Sequence, residues 1–205
     1  MNVRDYGQAV KDSFKTIVSA MAALVFAVPM VQVFINSGIN AADFTSMPLA
    51  LAEGISNIFG SYWPLTAPTI GAIGAFAAGS NTVSNMMFSL FQFGVADNIL
   101  ASPATIVALQ AVGGAAGNMI CVHNVVAASS SAGLIGREGS LIRKTLIPMT
   151  FYVIFAGGIG YVAINGIGMN IGTLILAAVA VFIAVFIAKG QKQNRMEDKR
   201  LKKSA

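Results

Sequence analysis

Positive charge is missing from the middle of this chain. All 13 lysines and arginines fall within residues 4–15, 137–144 and 189–203, and none lies between Thr16 and Gly136. Over that interval only Asp43, Glu53 and Asp97 are charged, and residues 145–188 carry no charge at all. Charged residues make up 10% of the chain, against roughly a quarter in soluble domains. With 56% hydrophobic residues and a mean hydropathy of +0.73, that scarcity excludes an ordinary soluble globule and points to a lipid bilayer. It also excludes a nucleic-acid partner. The pI near 9.6 comes from charges at segment ends, whereas a nucleic-acid surface interleaves basic residues with aromatics.

Cysteine and histidine are almost absent as well. Cys121 stands alone, so no internal disulfide forms, and neither a zinc site nor a secreted disulfide scaffold fits. The expectation is no cofactor and no metal. An enzyme would have to use Cys121, His123 and Asn124 as thiol, base and orienter. Residues two apart on a helix face different ways, and a nucleophile must lie within hydrogen-bond reach of its base. The chain therefore reads as a non-enzyme, and Cys121 as a small apolar packing residue.

What is present is a series of apolar segments of unequal length. Residues 16–35 match the roughly 20 residues of a membrane span and exceed a signal-peptide core. Pro29 is expected to kink them, and residues 36–40 read as a turn. Residues 48–59 alternate as an amphipathic interfacial helix whose crossing is left undecided, and Tyr62 and Trp63 fit an aromatic belt. Residues 64–95 form two half-length arms around a polar tip, which predicts a re-entrant hairpin. Residues 103–136 make one span broken in its middle, and 146–164 and 171–188 make two ordinary spans. The domain is thus an all-α membrane unit over 1–188 with a basic tail at 189–205. Positive residues mark the cytoplasmic side. With both termini cytoplasmic and the hairpin re-entrant, every basic cluster falls inside; a hairpin that crossed fully would split them.

The two breaks carry the functional signal. Backbone that leaves the helix at membrane depth exposes N–H and C=O groups that hydrocarbon cannot satisfy, so it survives only against protein or a watery cavity. Ser80, Asn81, Thr82, Ser84 and Asn85 at the first break, and Asn118 and Asn124 at the second, offer hydroxyls and amides suited to a small carboxylate. Charge is expected from helix N-termini at Ser84 and Val125. His123 is the candidate for a coupling proton, since imidazole is the side chain that titrates nearest neutrality. Gln92 and Gln110 lie close to the breaks as second-rank site residues. Capping by Ser80, Thr82 and Ser84, and turn stabilisation by Asn81 and Asn85, are the structural alternatives for the same residues. Gly113 and Gly114 read as close helix packing.

These residues resemble the bacterial L-lactate permeases. The resemblance is carried by the run from Gly79-Ser80-Asn81-Thr82-Val83-Ser84-Asn85 to Phe88, with Gln92-Phe93-Gly94 after it. It continues through the run from Gln110-Ala111-Val112-Gly113-Gly114 to His123-Asn124-Val125 and Ala128, then Gly136-Arg137-Glu138-Gly139 and Arg143-Lys144-Thr145. It implies carriage of L-lactate, glycolate or a related 2-hydroxy monocarboxylate across the bacterial inner membrane, coupled to a proton or a sodium ion. It implies a fold of two inverted repeats, of which this chain would be one, with Ser80, Asn81 and Thr82 at a hairpin tip. Family members are more than twice as long, so the chain is expected to be a C-terminal part. Its partner would be a separate N-terminal half or a second copy; the alternative is a non-transporting assembly subunit.

Overall fold

The computed structural model describes residues 3–204, and among them every regular element is helical. The helices are α1 (Val3–Ile35), α2 (Met47–Phe59), α3 (Trp63–Ala78), α4 (Asn81–Asn98), α5 (Pro103–Gly117), α6 (Val122–Ser131), α7 (Glu138–Asn165) and α8 (Ile171–Ser204). Single 3-10 turns at Asn36–Gly38 and Gly60–Tyr62 join the first three. The expected span at 16–35 falls within α1, and several of its side chains lie outside the described residues. So do the side chains of the basic tail beyond Gly190, through which α8 continues as helix.

Local chemistry sets the helix ends. Pro64 and Pro103 stand in the first turns of α3 and α5, where a missing N–H costs nothing. Ser102 caps α5 by accepting from the Thr105 amide at 3.4 Å. At the end of α3, Gly79 adopts φ 74°, a left-handed conformation that closes helices and favours glycine. Between α6 and α7, the Glu138 carboxylate accepts from the Gly136 amide at 2.9 Å and from Ser129 Oγ at 3.3 Å, pinning the connection.

Side-chain pairings give the directions of the central helices. Ser84 meets Gly71, and Gln92 meets Ala67 and Trp63, so α4 runs antiparallel to α3 and the two form a helical hairpin. A Cβ at Gly113 would collide with Pro68 O, and one at Gly117 with Ala72 O. The constant offset of those pairs makes α5 parallel to α3, with the two backbones in direct contact, as small residues allow. At 1.5 Å per residue α3 and α4 are about 24 and 27 Å long, short of a hydrocarbon core of about 30 Å. Trp63, Ala67, Phe91, Val95, Ile106 and Leu109 fill the space between the three helices. The aromatic-belt assignment of Trp63 is thereby corrected. Its ring is 1% exposed and edge-on to Phe59 and Phe91, while Tyr62 beside it is exposed.

Outside this trio, α2 lays Pro48 and Ala52 inward, with Leu49 against Gly94 of α4. Among the described residues, Glu138–Asn165 and Ile171–Gly190 are long and apolar enough to cross a membrane. Helices α5 and α6, bent by 41° across a four-residue break, count as a third if taken as one span. Helix α7 begins before the expected 146, so Arg143 and Lys144 belong to it.

Candidate functional site

The polar clusters are mostly helical, contrary to the expectation of open breaks. Only Gly79 and Ser80 separate α3 from α4, and only residues 118–121 separate α5 from α6. Helix α4 starts at Asn81 and α6 at Val122, each three residues before the helix start expected at Ser84 and Val125. The cause is capping. Ser80 takes an extended conformation and its Oγ accepts from the Val83 amide at 3.4 Å, so the helix begins directly behind it. Cys121 also takes an extended conformation ahead of α6, but supplies no side-chain bond.

Because α3 and α5 are parallel, their ends lie side by side and the two breaks meet. A Cβ on Gly79 would come within 2.8 Å of His123 Nδ1, so the imidazole at the start of α6 rests on the tip of the hairpin. One turn away, Asn81 Oδ1 occupies the space left by the absent side chain of Gly114. Ser80, Asn81, Asn118, His123 and Asn124 are thus brought around one junction. Their bonds are few. Asn85 Nδ2 donates to Asn81 Oδ1 at 3.3 Å, and Asn124 Nδ2 donates to the Asn118 carbonyl at 3.3 Å. The Oδ1 atoms of Asn85 and Asn118 are buried without a hydrogen-bond partner. His123, Asn124 and Thr82 are exposed, and Ser80, Asn81, Asn85 and Asn118 are half-buried.

Ser84, Gln92 and Gln110 sit elsewhere. All three are fully buried between α3, α4 and α5, with their polar atoms bonded to one another and to the protein. They stand behind the junction and not on it. Glycines 71 and 74 escaped notice in the sequence although they are what admits this layer. A Cβ at Gly74 would meet Ser84 Oγ, and one at Gly71 would meet Gln110 O. Two cavities, of about 210 and 330 Å³, flank α3 and are walled mainly by apolar side chains such as Ile73, Phe76 and Val153 in one and Leu51, Ile55 and Phe88 in the other. Such walls suit chain or lipid and not a carboxylate.

Comparison with known proteins decides the family. Residues 1–167 match the family described as L-lactate permease. The chain belongs to the L-lactate permease family. A Haemophilus influenzae protein that carries the provisional name L-lactate permease is 42% identical over 134 residues, 65% of this chain and 24% of its own length. The glycolate permease of Escherichia coli is 32% identical over 122 residues, 60% of this chain and 21% of its own. The L-lactate permease of Salmonella typhi is 30% identical over 134 residues, 65% of this chain and 23% of its own. The chain therefore spans about a quarter of the length of the relatives it matches. No solved structure matches it. The family is one of permeases and not of enzymes, and with its apolar helices this member of it is an integral membrane protein.

Proposed function

We propose that this chain supplies one half of the translocation site of a secondary carrier for L-lactate, or for glycolate and related 2-hydroxy monocarboxylates, in the bacterial inner membrane. The observation that carries the reading is the meeting of two helix starts, those of α4 and α6, at the junction of Gly79 with His123. Each start is equivalent to roughly half a positive charge. A small carboxylate is then held without an arginine or lysine, on backbone N–H groups and on Ser80, Asn81, Thr82, Asn85, Asn118 and Asn124, with Ser84 supporting them from behind. Discontinuous helices of this kind bind substrate near the midplane in secondary transporters. Binding without a full countercharge is weak and exchangeable, as turnover requires.

The coupling ion is a proton, with His123 as its carrier, or else a sodium ion. The α3–α4 hairpin dips into the membrane from the outer face and returns, and both termini are cytoplasmic. The chain acts as the C-terminal repeat of an inverted pair, and the facing half of the site comes from an N-terminal permease half or a second copy. Alternating access moves one bundle against another around the shared site, so a single repeat does not complete the cycle.

The test is uptake of labelled L-lactate into proteoliposomes under an imposed proton gradient, with the chain alone and with an N-terminal permease half added. Uptake above empty vesicles is expected with both halves present, and on the order of tenfold less of it with Asn81→Ala, the loss of one directed contact to a bound anion. Uptake no greater than that of empty vesicles in either arrangement would overturn the reading and leave an assembly subunit.

A further inference from the structure

Four buried side chains form a hydrogen-bonded run through the centre of the trio. Trp63 Nε1 donates to Gln92 Oε1 at 2.8 Å. Gln92 Nε2 donates to Gln110 Oε1 at 3.0 Å and to the Ala67 carbonyl at 3.3 Å. Gln110 Nε2 donates to Ser84 Oγ at 3.0 Å and to the Ser84 carbonyl at 3.4 Å. Ser84 Oγ in turn donates to the Gly71 carbonyl at 2.9 Å. Trp63 is 1% exposed and the other three are fully buried.

The run has a direction, set by a donor-only group at one end, Trp63, and by the Ala67, Ser84 and Gly71 carbonyls along it, which only accept. An indole N–H is a donor only, so the Gln92 oxygen must face Trp63 and its nitrogen must face away. That nitrogen requires the Gln110 oxygen, which turns the Gln110 nitrogen to Ser84, which leaves the Ser84 proton for Gly71. Turning either amide over would set donor against donor and strip several buried groups of partners, each worth about 1–3 kcal/mol. Every donor hydrogen of the four side chains is used, the condition under which a buried polar network rigidifies its surroundings. Ser84 lies in the first turn of α4, where its amide donates to the Ser80 carbonyl at 3.0 Å. Anchoring Ser84 to α3 through Gly71 and to α5 through Gln110 therefore fixes the turn that presents Ser80 and Asn81.

We infer that Trp63, Gln92 and Gln110 are positioning residues, which act through Ser84 to hold the Ser80–Asn81 tip against α5. The importance of the tip for substrate rests on the proposed function, but its immobilisation does not. The chain carries built-in probes, its single tryptophan at one end of the run and its single cysteine, buried at the start of α6 two residues before His123, whose ring lies against Gly79 of the tip.

The experiment compares the full chain in lipid nanodiscs with Gln110→Met, the isosteric Gln92→Glu and, as a control of lost volume away from the run, Val153→Ala. Val153 belongs to the separate cluster of Ala72 and Ala116. Read out are Trp63 emission and the rate at which a small maleimide labels Cys121; neither needs transport. Gln110→Met is expected to shift Trp63 emission, although Gln92 stands between the two, and to raise Cys121 labelling roughly tenfold, as the loss of one buried hydrogen-bond partner would. Gln92→Glu, buried and therefore neutral, keeps an acceptor for the indole but has one O–H where the amide had two N–H groups, so at least one of the two donated bonds is lost; it is expected to leave the emission near that of the native chain and still raise labelling. Changes in both variants no larger than in Val153→Ala would overturn the inference. A Gln110→Met chain that fails to fold leaves Gln92→Glu to decide through labelling alone.

Discussion

The two breaks in this chain look alike in sequence and are built differently. At the first, two residues turn the chain through a hairpin, and although Asn85 Oδ1 is buried without a partner, Ser80 caps α4, Ser84 is tied to two helices, and Asn85 Nδ2 bonds Asn81. At the second, four residues redirect the chain by 41°, Cys121 supplies no cap, and Asn118 Oδ1 is buried without a partner. The difference teaches that a polar cluster in an apolar chain marks a break but not its mechanics. The first break is held from behind by α5, and the second stands at the end of that support.

The largest effect should come from prying apart the welded side. Gly113→Val would drive a branched side chain into the Pro68 carbonyl, a backbone atom that cannot turn aside. Overpacking typically costs about 1–3 kcal/mol and more where the backbone must shift, so a loss of about 3 kcal/mol is expected in thermal or denaturant unfolding. Ala127→Val, the same kind of change beyond the second break on an exposed position of α6, should stay within about 0.5 kcal/mol. Equal losses in the two variants would erase the distinction between a welded and an unsupported side.

A smaller effect of opposite sign should separate the asparagines. Asn81→Leu removes the acceptor of Asn85 Nδ2 and puts a larger apolar group against Gly114, so a loss of about 1–3 kcal/mol is expected. Asn118→Leu removes an oxygen that already lacks a partner, so stability is expected to hold or rise while L-lactate uptake by the reconstituted permease falls. The Asn124 bond survives that change because it uses the Asn118 backbone carbonyl. Destabilisation by Asn118→Leu as great as that by Asn81→Leu would mean that the second break is as self-contained as the first.

Both breaks were legible because Ser-Asn-Thr and Asn-containing strings stand out in apolar segments, and α2 was legible from its alternation and from Pro48. The helix starts were not. Capping by Ser80, Thr82 and Ser84 stood only as an alternative to a polar loop; of the three, Ser80 is the cap, and a cap begins a helix where an unstructured polar loop would delay one. Trp63 was misread because an aromatic at the end of an apolar segment can serve either an interface or a core. What settles it is Gln92, 29 positions away, and that pairing depends on the register of a hairpin that local pattern does not encode. Gln110 shows the same limit. Its polarity in an apolar helix was visible, but its partners on α4 follow only from how α4 and α5 face each other. The glycines of α5 announced close packing; that the backbone of α3 is what they admit became evident only in the assembled fold.

The finest difference between the breaks is a single atom at the helix cap. Serine at the first break accepts a backbone N–H, and the sulfur of Cys121 at the second does not. Cys121→Ser keeps the size of the buried side chain and adds the acceptor that α6 lacks. An N-cap serine is worth about 0.5–2 kcal/mol over a residue that cannot cap, and burying the new hydroxyl takes back part of that. A net gain of about 0.5 kcal/mol is therefore expected in thermal unfolding, with Ser80→Ala losing about 1 kcal/mol as its mirror image. If the second break works as a joint in transport, the added cap should also slow L-lactate uptake by the reconstituted permease while leaving its apparent affinity unchanged. A faster or unchanged rate beside the higher stability would mean that α6 does not reorganise at its first turn, and that the asymmetry between the breaks serves binding alone.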